Sequence, residues 1–151
     1  MSLPETTLRP KGSYILLIRL PEDETLTTGR LGPVHFPGGH YAYAGSALGG
    51  LQPRLDRHLR TGKKLHWHID YLLEKARVEE IVTCHTAERM ECAIARSLGE
   101  QFELVPGFGS SDCHCRSHLF YSDTSMTETV LFVLKTLDLN PILACTRTGG
   151  C

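Results

Sequence analysis

The chain has 151 residues, 41% of them hydrophobic and 22% charged, enough for one domain with a core of its own. Sixteen basic side chains against seventeen acidic ones give a formal net charge of −1, which excludes a chain that binds nucleic acid through bulk charge. No run approaches the roughly 20 apolar residues of a membrane helix, and MSLPETTLRPKGS lacks the apolar stretch of a secretory signal, so a cytoplasmic protein without a membrane partner is expected.

Residues 1–11 read as a polar lead-in to a single domain over 12–151 that ends with a C-terminal helix. The aliphatic run SYILLIRL predicts a buried strand over 13–20, which Pro21 stops. Residues 22–38 are acidic and rich in Thr, Gly and Pro, which suits a loop or an irregular hairpin. In HYAYAG the tyrosines alternate with small residues, so Tyr41 and Tyr43 share one face of a second strand over 40–45. A helix is predicted over 51–60, with Pro53 in its first turn, Leu51, Leu55 and Leu59 as its buried stripe, and Gly62 beyond its end. Arg54 and His58, four residues apart, share another face of it. Further expectations are a helix over 68–76, a strand over 78–84, a helix over 87–99, a loop over 105–115, a short strand over 119–121 and a last helix over 127–137. The fold class is therefore α+β: a small, mainly antiparallel sheet flanked by helices.

Charge is distributed unevenly. Arg54, Arg57, Arg60, Lys63 and Lys64 stand against Asp56 alone in one segment, while acids gather at Glu22, Asp23, Glu24, Glu79 and Glu80. The six cysteines are Cys84, Cys92, Cys113, Cys115, Cys145 and Cys151, and without a secretory signal they are expected to be mainly reduced. Cys113-His114-Cys115 with His118 has a spacing to weigh for metal, but these four side chains crowd into six positions, where tetrahedral ligation is strained, so zinc is disfavoured. The alternative there is a Ser110-Ser111-Asp112 turn packed beside the site. Gly45–Gly50 lacks the Gly-Lys-Ser/Thr of a phosphate loop. His66-Trp67-His68 with Asp70 reads either as a site extension that binds phosphate or a second ion, or as a core plug, Trp67, with Asp70 capping or pairing locally.

Gly12-Ser13-Tyr14 on the first strand, Tyr43-Ala44-Gly45 on the second, Arg54 and His58 on the next helix and Glu91 on a later one form an ordered set. In that order they resemble the GIY-YIG nuclease family, and KKLHWHIDYLL and PGFGSSDCHCRSHLFY resemble an uncharacterised branch of it. The resemblance spans about residues 11–121. It departs from the pattern in having Ser46 where some relatives carry lysine, and no counterpart of the family's late asparagine.

The resemblance implies a GIY-YIG-like fold and an endonuclease that hydrolyses phosphodiesters of nucleic acid, DNA in the first instance, in repair or recombination. Glu91 would ligate one hydrated Mg²⁺ or Mn²⁺, a hard cation that keeps its waters and takes few protein ligands. Arg54 would hold the scissile phosphate through paired hydrogen bonds. Tyr14 or Tyr43 would take the proton of the attacking water, either being open at this point, and would need a nearby cation because phenol titrates near pH 10. His58 would support a tyrosine or the phosphate, and Arg57, Arg60, Lys63, Lys64 and His66 would contact flanking nucleic acid. The rival readings are a non-catalytic nucleic-acid or protein binding module on the same fold, with a protein partner for targeting, and a zinc-stabilised structural domain.

Overall fold

The strand β1 (Gly12–Leu20) shows no alternation of burial, because both of its faces are covered. Leu16, Ile18 and Leu20 enter one apolar cluster, Ile15 and Leu17 a second on the opposite side of the sheet. A computed structural model describes residues 10–110 and 113–145. In it β1 lies inside a six-stranded antiparallel sheet, between β4 (Gly39–Ala47) and β5 (Arg77–His85). Before β4 the chain makes a separate hairpin, β2 (Glu24–Thr27) with β3 (Pro33–Phe36), which closes over the first cluster through Phe36. Outside β4 come β7 (Leu119–Ser122) and β6 (Glu103–Leu104), and outside β5 comes β8 (Ile142–Cys145).

Four helices flank the sheet. From α1 (Leu51–Leu59) and α2 (His68–Leu73), Leu51, Ile69 and Leu72 enter the first cluster. From α3 (Glu91–Gly99) and α4 (Thr127–Thr136), Ile94, Leu98, Val130 and Leu134 enter the second. The α+β class is as expected. The differences are local and have physical reasons. Leu59 is 45% exposed, because α1 ends there and its buried face runs through Leu51, Leu55 and His58, with a histidine where a third leucine was expected. Helix α3 begins at Glu91 rather than at residue 87, since the Thr86 hydroxyl accepts from the Glu88 amide and holds 86–88 in a turn. The last element among the described residues is the edge strand β8, not α4.

Two glycines decide how closely β1 can be approached. Tyr14 pairs with Gly45 across the β1–β4 ladder, and a Cβ on Gly45 would lie 2.4 Å from the Tyr14 ring and hydroxyl. A Cβ on Gly12 would lie 2.0 Å from the Cys84 carbonyl oxygen of β5. Each signature tripeptide therefore carries a glycine for steric reasons.

Candidate active site

Tyr14 and Tyr43 lie on the same face of the sheet because Tyr43 pairs with Leu16, two residues along from Tyr14. The Tyr14 ring crosses Gly45 and its hydroxyl lies 2.6 Å from Nε2 of His58, which α1 turns toward the sheet. Arg54, one turn earlier on α1, also hydrogen-bonds to Tyr14 and donates to the Ser46 carbonyl at 3.1 Å. Glu91 enters from the N-terminus of α3. Tyr14, Tyr43, Arg54 and Glu91 line one cleft of about 430 Å³, together with Trp67, Arg89, Gly109, Cys92, Cys113 and His118. Glu88 is exposed on the turn before α3, whereas the Glu91 side chain, about 20% exposed, sits at the rim of the cleft.

Burial governs the electrostatics. It pushes the Tyr14 hydroxyl up to about 12, although Arg54 pulls the other way. It raises Tyr43 further, and the neighbouring Tyr14 and Glu91 add to this. Burial, with Arg54, Lys63 and Arg57 nearby, brings His58 down to about 4, so the imidazole is neutral at pH 7. Among the described residues nothing partners Nδ1 of His58. A buried N–H without an acceptor is rarer than a buried acceptor without a donor, which favours the tautomer with the proton on Nε2. In that tautomer His58 donates to Tyr14, whose oxygen receives Arg54 as well.

The cations between 54 and 64 divide into two kinds. Arg57 makes a two-pronged pair with buried Asp70 at 2.9 and 3.0 Å and donates to the Lys64 carbonyl. Lys63 donates to the carbonyls of His58 and Arg60 at the C-terminus of α1. Both side chains are thus occupied within the fold. Arg60, Lys64 and His66 are exposed. Asp70 also accepts from the His66 and Trp67 amides, which anchors the start of α2. Burial by itself would raise its carboxyl, but the Arg57 bonds and the two amides outweigh that and hold it below the usual range.

Several contacts of the site were not foreseen in the sequence. Trp67 stacks under two guanidinium groups, Arg54 at 4.7 Å and Arg57 at 4.2 Å from the ring centre, and so orients the arginine that lines the cleft. His68 accepts the Gly109 amide at 2.8 Å, while Phe108 packs between Phe36, Tyr43 and His68, so the 105–110 loop is held against Tyr43. The thiol of Cys92 comes together with Cys113, Cys115 and His118, and these four can hold a metal ion; His114 is exposed and outside the group. The crowding inferred from 113–118 is relieved, because the fourth donor comes from α3, about twenty residues earlier in the chain. Ser111 and Asp112, expected to form a turn with Ser110, lie outside the described residues. Among the described cysteines, Cys84, Cys92, Cys113 and Cys115 are free thiols, in line with mainly reduced cysteines, whereas Cys145 on β8 is disulfide-bonded.

A family model described as a domain of unknown function, DUF123, matches residues 13–139 and so takes in both tyrosines, Glu91 and all four thiol and imidazole donors. The chain belongs to the DUF123 family. No curated protein and no solved structure matches it. No helix among the described residues of this DUF123 domain is long and apolar enough to cross a membrane.

Proposed function

We propose that this DUF123 domain is a metal-dependent endonuclease of the GIY-YIG type that hydrolyses phosphodiester bonds in nucleic acid, DNA in the first instance. The observation that carries the reading is convergence. Two tyrosines, an arginine and a carboxylate from four separate elements line one cleft. The set matches what the reaction needs: a proton acceptor for water, a fork of donors for the phosphate, and an anchor for a cation.

A hard divalent cation fits the donor set. Glu91 offers a single, partly exposed carboxylate on a cleft with room for a hydrated ion, the manner in which Mg²⁺ is usually held. Bound there, Mg²⁺ or Mn²⁺ would supply charge stabilisation to the phosphate and the leaving oxygen. The remaining work falls to the chain. Arg54, braced by Trp67 and Ser46, holds the scissile phosphate. As the phenolate, Tyr14 accepts the proton as the water oxygen bonds to phosphorus, and the leaving oxygen takes up a proton from solvent as its bond to phosphorus breaks. Tyr14 is preferred to Tyr43 as this base because His58 and Arg54 both meet its oxygen, and because burial raises it less. Flanking phosphates fall to the exposed Arg60, Lys64 and His66 rather than to Arg57 and Lys63.

One observation favours a second reading, a module that binds without cleaving: burial holds both phenols in their protonated form at neutral pH. The two readings separate on a panel of labelled branched, single-stranded and duplex DNAs incubated with Mg²⁺ or Mn²⁺. The nuclease reading expects cleavage of at least one substrate, lost by about a hundredfold or more in Glu91→Gln and Tyr14→Phe and less in Tyr43→Phe, with binding kept. Equal binding by all four proteins without cleavage of any substrate sinks it in favour of the binding module.

A further inference from the structure

Cys92, Cys113, Cys115 and His118 come from two separate parts of the fold: the first turn of α3 and the loop that leads into β7. Their ligating atoms all lie within 4.8 Å of one another, and Cys113 Sγ is 3.3 Å from His118 Nε2. A tetrahedral zinc ion with bonds of about 2.3 Å to sulfur spaces its donors about 3.8 Å apart, a spacing that falls between the 3.3 Å of that pair and the 4.8 Å limit of the group. His118 is prepared in a further way. Its Nδ1 faces the Ala44 carbonyl oxygen at 3.2 Å, so an N–H there donates to that oxygen and leaves the Nε2 lone pair directed at the thiols. The backbone fixes the residue as well, since its amide donates to the Phe108 carbonyl and its carbonyl accepts the Ala44 amide.

From this geometry we infer a closed, structural zinc site, Cys92–Cys113–Cys115–His118, that ties the 113–118 loop and β4 to the N-terminus of α3 and thereby positions Glu91. Three thiolates and one imidazole select a borderline-soft ion with no geometric preference of its own, not the hard cation assigned to Glu91. Four protein donors leave no open position for water, so the zinc does no chemistry itself. Its effect passes through the chain: Cys92 adjoins Glu91, and both line the cleft that holds Tyr14 and Tyr43. Zinc is therefore a positioning device for the carboxylate, and this second half of the inference rests on the nuclease reading, while the site itself does not.

The test begins with metal content, measured by mass spectrometry on the full chain after gel filtration in metal-free buffer. About one zinc per chain is expected, falling about tenfold in Cys92→Ala and in Cys115→Ala and unchanged in Cys84→Ala, whose buried thiol is outside the group. Should the alanine variants not fold, wild-type protein stripped with a chelator and titrated with Co²⁺ replaces them. Thiolate-to-cobalt charge-transfer absorption with intense tetrahedral ligand-field bands supports the site, and the pale spectrum of octahedral Co²⁺ overturns it. Full zinc retention in Cys92→Ala, iron in place of zinc, or a disulfide at Cys92 found by mass mapping also overturns it. For the positioning role, stripped protein should lose Mg²⁺-dependent cleavage and regain it with one equivalent of zinc but not with more Mg²⁺. Cleavage undiminished after stripping rejects that role, and a wild type without any activity rejects the nuclease reading while the metal content still decides the site.

Discussion

Tyr14 and His58 form a closely constrained pair. The tyrosine is buried against a glycine and hydrogen-bonded to a histidine that the fold keeps neutral. That neutrality has a measurable consequence. The folded-state value of His58, about 4, lies below its ordinary 6.5, so the unfolded chain takes up the proton first as the pH falls. Stability from this group is complete above about pH 6.5 and is lost progressively down to about pH 4, with about 3 kcal/mol at stake. Urea denaturation at about pH 7.5 and about pH 4.5 should show a much larger loss for wild type than for His58→Asn. Equal losses would mean that His58 titrates normally. The histidine was legible as a partner for tyrosine from its place four residues after Arg54. Its burial was not, because a leucine repeat at 51, 55 and 59 competed for the same inward face and only the packed helix shows which side wins.

At the scale of elements, α1 and α2 are joined by a corner that an ion pair holds. Asp70 is fully buried, receives both prongs of Arg57 and two backbone amides, and so completes the N-terminus of α2 while tethering α1. Asp70→Ala removes all four bonds and leaves the guanidinium and both amides without their acceptor. A loss of about 3 kcal/mol or more in the free energy of unfolding is expected, against less than about 1 kcal/mol for exposed Lys64→Ala. A change of similar size in the two variants would mean the pair is no more than a surface contact. This assignment also separates Arg57 from Arg60 and Lys64, which sequence alone grouped as one basic patch, since a run of cations does not say which of them has an internal acid. The edge strand β8 escaped notice for a related reason. ILAC is four residues long with no alternation to read, and it becomes a strand because β5 offers it an open edge.

Over the whole molecule, the sheet separates two apolar cores, and the candidate site lies where elements from both sides meet. Tyr14 and Tyr43 project from the face covered by α1 and α2, while Glu91 and Cys92 come from α3 on the other. In the proposed site the zinc ligands join the 113–118 loop to the first turn of α3. Hydrogen exchange should rise after zinc removal in residues 105–110 and 113–118 and in the first turn of α3, with β1, β4 and β5 keeping their protection. A uniform rise across the sheet would instead mean that the metal holds the entire fold. By itself the sequence determined the α+β class, the central strands and the candidate order Tyr14, Tyr43, Arg54, His58, Glu91, because period-2 and helical spacing are local properties. Only the tertiary structure decided that Cys92 joins Cys113, Cys115 and His118, that Trp67 braces Arg54, and that Arg57 belongs to Asp70. Each of these is a meeting of side chains from segments far apart in the chain, and no local pattern encodes the distance between them.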